Sequence, residues 1–385
     1  MQFFTERIYI YSNKNNKKKK QKKMNQIIIS SNSTFNLSKE AWLRKVGMTA
    51  MSDYLIFYIL GGVSLVGVLL NLISIVVLRK KRFDTVQLFK YLRVYVLNSL
   101  VLCLVSVFNF VHTTHYLFDF TNTYSARAFG AYFYTNVVTL AYFYGGVLDI
   151  YLNIERLFCF VPRLNSSINK FSCKKVCLGM FALVLTLNFV QFFINAPNYL
   201  DVQLNQTEPY RIWYYGLSSF GKSYAGHVIT IVVYVIRDVV TLIAEVVLSS
   251  LCVVLLKRHL LKKKGLKLNS LLTANRVDST SNGTGALKDS LQSSQGSARQ
   301  SENLASRANK NLTMMVFFMC VCSTLAHLWL ISCTTFFLYA QNMFSFGVCY
   351  VSSIVLAVKH ASNFFLFLFF NSVFMDEVKK ILIIW

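Results

Sequence analysis

The sequence predicts an all-α membrane protein: a bundle of seven transmembrane helices followed by a short amphipathic eighth helix. Three observations carry this expectation. The 385 residues are 55% apolar yet bear a formal charge of +24, so the apolar mass and the charge need different surroundings. Apolar runs of the ~20 residues that cross a bilayer as helix recur seven times. Lys and Arg gather in alternate connections between those runs.

The runs cover 54–79, 89–114, 128–154, 176–197, 228–256, 313–339 and 346–371. They are too long for barrel strands and do not alternate, so they are expected as helices. The fifth is the least regular, because it holds Arg237, Asp238 and Glu245. The opening MQFFTERIYI lacks the apolar core of a signal peptide, which leaves the first run to act as its own insertion signal. Around the runs lie a polybasic tail (1–53), a loop at 259–309 and a terminal amphipathic stretch at 372–385.

Charge sets the orientation. The 1–2 connection carries Arg79, Lys80, Lys81, Arg82, Lys90 and Arg93; the 3–4 connection carries Arg156, Arg163, Lys170, Lys174 and Lys175; the 5–6 connection begins LKRHLLKKK. The 2–3 loop has only Arg127, the 4–5 loop only Arg211 and Lys222, and the 6–7 loop none. The positive-inside rule then puts the N-terminus outside the cell membrane and the C-terminus inside. The block NKNNKKKKQKK at 13–23 runs against this, but it lies outside the ~15–20 residues within which charge sets orientation. A start at Met24 or Met48 would remove it, and a cytoplasmic N-terminus would invert the whole arrangement. Glycosylation sequons at Asn32, Asn36 and Asn205 fall on the outer side, whereas those at Asn165 and Asn282 fall inside.

Most of the nine cysteines sit in apolar runs, and the 2–3 and 4–5 loops contain none. No disulfide framework is therefore expected outside; Cys333 and Cys349 are the one pair that could bridge. Residues 265–309 are rich in Ser, Asn, Gly and Gln and are predicted to be disordered, with serines open to kinases. No HExxH, P-loop, Cys-x-x-Cys or dinucleotide glycine motif occurs, so neither an enzyme nor a cofactor is expected. The lysine tail attracts anionic lipid or nucleic acid only nonspecifically, and no nucleic-acid partner is expected.

Four short stretches, in order, resemble the rhodopsin-like (class A) G-protein-coupled receptors. GVLLNLISIVVL presents Asn71 as the polar residue of helix 1. LNIERLFCFVPR resembles the Asp/Glu-Arg-Tyr element, with Glu155 and Arg156 in its first two positions, Leu157 for the aromatic and Pro162 beyond. Asn363-Phe-Phe-Leu-Phe367 resembles Asn-Pro-x-x-Tyr, and Phe374 matches the aromatic that opens helix 8, with DEVKKILIIW as that helix. The chain departs from the family elsewhere. Cys103 stands where helix 2 carries Asp, the bridging Cys of helix 3 and the Trp of helix 4 are missing, Thr241 replaces Pro in helix 5, and STLAHLWL replaces Cys-Trp-x-Pro in helix 6. These departures point to a divergent branch, such as a peptide or chemosensory receptor, and argue against the family's sodium site.

The resemblance implies roles. Glu155 would hold Arg156 at rest and release it toward a heterotrimeric G protein, with Asn363 and Phe367 in the same switch and Asn71 and Asn98 in a bundle-core network. Kinases and arrestins would act on loop 3. The residues alone allow Glu155 and Arg156 to be plain interfacial charges. Asp149, two turns before Arg156 and so ~10 Å away on the same face, must face the bundle. Its partner is Lys359 or Arg237, or else it is protonated against a neighbouring Asn or Ser. Arg237 and Asp238 either line a ligand pocket or cap the outer end of helix 5. His327, Trp329, Tyr339, Tyr350 and His360 are either pocket or packing residues. The expectation is a receptor for an extracellular ligand, possessing no catalytic residues and lying in the lipid bilayer. The rival is a seven-helix channel or transporter, including an inverted-topology chemoreceptor, which would use the intramembrane charges as an ion path.

Overall fold

The computed structural model describes residues 54–84, 86–109, 123–160, 172–203, 209–278, 311–332 and 343–384. Seven helices are long and apolar enough to cross a membrane. The protein is an all-α seven-helix bundle, and its helices mark it as a multi-pass membrane protein. α1 is Gly61–Leu78, entered through a π-helical turn at Tyr54–Leu60. α2 is Gln87–Val107. α3 is Thr135–Phe160, preceded by Tyr124–Ala128 and a π turn at Phe129–Tyr134. α4 is Cys173–Asn188. α5 runs from Tyr224–Tyr234 through a π turn at Val235–Val240 into Thr241–Asp278. α6 is Asn311–Ser332, α7 is Met343–Phe370 and α8 is Ser372–Ile384.

Local chemistry sets the ends. The Ser172 hydroxyl accepts the Lys175 amide to open α4, Ser223 accepts Gly226 N–H at 3.1 Å to open α5, and Asn371 accepts Phe374 N–H at 3.1 Å to open α8. Each supplies an acceptor to a backbone donor that the helix cannot satisfy. All three prolines, Pro162, Pro197 and Pro209, lie outside the spanning helices, so no span loses a backbone bond to proline.

The bundle is turned inside out relative to a soluble protein. On α1, Leu65, Leu69, Leu72 and Val76 form an exposed stripe, while Ser64, Gly67, Asn71 and Ser74 face inward. In water such a face would be an aggregation hazard; in lipid it is the required surface. Gly67 lets three helices meet: a Cβ there would lie 2.7 Å from Cys103 Sγ of α2 and 3.3 Å from Ala361 Cβ of α7. α3 is the central strut, touching α2, α4 and α5, while α7 packs on α1 and α2.

Two features differ from the sequence expectation. The 4–5 connection, expected as a plain loop, forms an antiparallel hairpin, β1 (Asn195–Gln203) with β2 (Pro209–Leu217), in which Asn195 pairs with Leu217 and Leu200 with Ile212. Tyr210, Ile212, Trp213, Tyr214 and Tyr215 give it the aromatic and β-branched content that strands favour. Second, the segment expected as a loop from 259 and as disordered from 265 is helical as far as Asp278. Leu260, Leu261, Leu268, Leu271 and Leu272 continue the helical spacing of α5 beyond the membrane. The sequons at Asn32, Asn36 and Asn205, and the Cys333–Cys349 pair, lie outside the described residues or their described side chains.

Charge steadies α8 and touches it from the 1–2 connection. Lys380 Nζ lies 2.8 Å from Glu377 Oε1, and Arg82 of the 1–2 connection lies 3.5 Å from the same oxygen. The Lys380 hydrogen bond, with the nearby positive charges of Lys380, Arg82 and Lys80, holds the Glu377 carboxyl below the usual carboxylate range. Because the main cause lies within α8, the depressed carboxylate favours the folded helix above its ordinary titration range, and that contribution is lost as pH falls through the depressed value. A spin label at Ile383→Cys should therefore be more ordered at neutral pH than at acid pH, and Glu377→Gln should remove the pH dependence.

Candidate functional site

The middle of the bundle buries a chain of ionisable side chains. α3 offers Asp149 and α5 offers Glu245, each 0% exposed; α6 offers His327 and α7 offers Lys359. Lys359 Nζ lies 3.1 Å from Asp149 Oδ2 and 5.3 Å from the centre of the Tyr95 ring. Two hydroxyls donate to the same carboxylate oxygen, Tyr95 Oη at 3.3 Å and Ser323 Oγ at 2.9 Å. Ser323 Oγ also lies 3.3 Å from Glu245 Oε1, and Glu245 Oε2 lies 3.1 Å from His327 Nδ1. Five helices are thus joined through one continuous line of polar contacts. Isolated charge in hydrocarbon costs several kcal/mol, so each acid is held against a base.

Small residues make the approach possible. Gly146 of α3 faces this cluster: a Cβ there would lie 2.8 Å from Thr241 Cγ2 and 3.7 Å from Glu245 Oε1 and His327 Cε1. Below it, Asn153 donates to Asp149 O at 3.1 Å and to Cys320 Sγ at 2.9 Å, and Cys252 Sγ donates to Asn153 O at 3.4 Å. Tyr142 packs edge-on against the His327 ring, with centroids 4.9 Å apart.

A second network joins α1, α2, α3 and α7. Asn71 Nδ2 donates to His360 O at 3.3 Å and Asn363 Nδ2 to Ser99 Oγ at 3.2 Å, while Ser99 Oγ and His360 Nδ1 share a proton at 2.9 Å. Asn98 Nδ2 donates to Ala141 O of α3 at 2.8 Å. The Phe367 ring meets Phe374 of α8 at 5.4 Å.

The structure therefore brings Asp149 to Lys359, and not to Arg237. Arg237 turns to its neighbour: its Nε and Nη2 donate to Asp238 Oδ1 and Oδ2 at 2.8 and 2.7 Å. Both stand in the π turn of α5, where the extra residue sets their direction. Trp329, 43% exposed, faces outward from α6 and joins neither network. Tyr339 and the Tyr350 side chain lie outside the description.

At the end of α3 the hydrogen bond of Glu155 goes to a hydroxyl. Its Oε1 accepts from Tyr151 Oη at 3.2 Å, and the Tyr151 and Tyr91 hydroxyls meet at 3.0 Å. Successive residues project about 100° apart on a helix, so Glu155 reaches toward α2 while Arg156 is buried in the bundle.

Sequence reasoning left Glu245 unplaced and took Arg127 for a loop charge, yet Arg127 is fully buried in the turn before α3. For Glu245 a signal existed. Asp238, Thr241, Glu245, Ser249 and Cys252 recur at intervals of three or four, a polar stripe through an apolar helix, and all five are buried.

A separate open cavity of about 800 Å³ lies at the edge of the bundle, lined by Tyr132, Phe192, Phe193, Asn195 and Phe220 among others. It touches none of the charged residues above. Among the described residues no group of three or more His, Cys, Asp or Glu is placed to hold a metal ion. Compared with known proteins, the chain matches no family model and no curated protein.

Removing one member of a buried pair strands the other, at a cost of about 3–5 kcal/mol, whereas removing both charges is often near neutral. Lys359→Met should therefore lower the Tm of detergent-purified protein sharply, and adding Asp149→Asn should restore most of it. A double variant as unstable as the single would show that the pair does not govern stability.

Proposed function

We propose that this chain is a receptor of the rhodopsin-like G-protein-coupled class, lying in the cell membrane with its N-terminus outside. An extracellular ligand, bound among the outer halves of α3, α5, α6 and α7, shifts the bundle toward a state that promotes nucleotide exchange on a heterotrimeric G protein. One observation carries this reading. Residues behind the resemblance converge in space: Asn71 and Asn363, far apart in sequence, meet at the His360 carbonyl, and Phe367 meets Phe374 across the α7–α8 junction.

The work required is a population shift, not covalent chemistry. α6 is latched to α3 and α5 by Ser323 and His327. A ligand that weakens this latch favours outward movement of α6, and moving an equilibrium from 1:99 to 99:1 takes about 5.5 kcal/mol of differential binding. Arg156, buried at the inner end of α3, would then face the opened cleft, and serines of the 5–6 connection would be available to kinases and arrestins.

The test is Arg156→Ala in cells carrying cyclic AMP and calcium reporters. G-protein signalling should be lost with surface expression retained, and unchanged signalling would refute the role. Asn205→Gln should remove a glycan-dependent mass shift; an unglycosylated Asn205 together with a cytoplasmic N-terminus would sink the topology.

A second reading, a proton-coupled transporter or channel, is favoured by the unbroken line from His327 through Glu245, Ser323 and Asp149 to Lys359, since such chains serve as proton relays. Proton uptake into proteoliposomes that Glu245→Gln abolishes would favour it over the receptor.

A further inference from the structure

The two buried acids meet at one hydroxyl, and a hydroxyl has one proton. Ser323 Oγ lies 2.9 Å from Asp149 Oδ2 and 3.3 Å from Glu245 Oε1. If both carboxylates were ionised, the Ser323 proton could serve only one of them well, and the other contact would set lone pair against lone pair.

The surroundings decide which acid is the anion. Lys359, Tyr95 and Ser323 all direct donors at the Oδ2 atom of Asp149. Three donors on one oxygen, one of them an ammonium, fit a carboxylate and fix the Ser323 proton on the Asp149 side. Glu245 has no such set. Its Oε2 meets His327 Nδ1 and its Oε1 meets a Ser323 oxygen whose proton is already committed. A proton on Glu245 Oε1, donated to Ser323 Oγ, completes every one of these contacts, with His327 the Nδ1–H tautomer donating to Oε2.

We infer that the core is a proton-binding site: Glu245 carries one bound proton as a neutral carboxylic acid, while Asp149 is ionised against Lys359. The groups facing the site on every adjoining helix are consistent with this occupancy. α2 presents Tyr95, α3 presents Asp149 and Tyr142, α5 presents Glu245, α6 presents Ser323 and His327, and α7 presents Lys359 with His360 behind it. With Glu245 neutral, Asp149–Lys359 is the one ion pair of the cluster, and a low-dielectric interior favours the arrangement with fewer buried charges. Loss of the proton would place a second carboxylate anion against Ser323 and weaken the joint between α5, α6 and α3. The inference does not depend on the receptor reading, because the same occupancy would serve a transporter.

The experiment is infrared spectroscopy of the full chain in phosphatidylcholine nanodiscs at neutral pH, in H2O and D2O. A carboxylic-acid C=O band is expected, present in wild type and in the charge-balanced Asp149→Asn/Lys359→Met double variant and lost in Glu245→Gln. Because Glu245→Gln could fail to fold, wild-type protein labelled with 13C at the side-chain carboxyl of Glu, or separately of Asp, gives a second measurement. The Glu label should shift the band and the Asp label should leave it in place. Absence of a Glu-shifted acid band at neutral pH, or a band that moves with the Asp label instead, would overturn the assignment.

Discussion

The fold is organised around a charge that cannot leave. Asp149 sits at the centre of a bundle whose outer surface is hydrocarbon-seeking, and Lys359 is the cation brought against it. The interhelical amide contacts of Asn71, Asn98 and Asn363 are each worth on the order of 0.6 kcal/mol in a membrane. Stranding one member of a buried ion pair costs several times that. The pair therefore fixes the rotation of α3 and α7 about their axes, and the amide contacts follow that setting. Once α3 is fixed, Gly146 sets how near α5 comes, and Ser323 and His327 hold α6.

Much of this was legible in the sequence. Seven apolar runs of the right length read directly as seven helices, because the bilayer permits few alternatives for satisfying backbone polar groups. Asp149 was recognisable as a residue needing a partner, since unpaired charge in lipid is costly, and Lys359 was a candidate because both lie in the same half of the membrane. The rest depended on helix rotation, which a list of spans does not contain. Glu245 stands with Arg237 and Asp238 among the charges that make the fifth run irregular, and its partner depends on helix rotation even though its stripe is present in the sequence. The pairing of those two residues was hidden because a π turn has no sequence signature comparable to proline. The β1–β2 hairpin was missed because its strands sit in a connection and carry Pro197 and Pro209, residues that argue for loop.

At the end of α3 two adjacent residues have different surroundings. Glu155 belongs to a hydroxyl relay running through Tyr151 and Tyr91 to Gln87 of α2, while Arg156 belongs to the interior. An acid tied to α2 and a base turned toward the core can answer to different neighbours.

The π turn in α5 has a consequence for how this chain can vary. Such a turn is an α-helix carrying one extra residue, so it acts as a phase shifter between the helix above and the helix below. Substitutions within Val235–Val240 leave that phase untouched. Deletion of a single residue there would rewind the helix by about 100° and turn the whole Tyr224–Tyr234 face away from its neighbours while Glu245 stayed in place. A change of length there would thus act on the whole outer half of α5, whereas a change of residue acts only on that residue's own contacts, such as the Arg237–Asp238 pair.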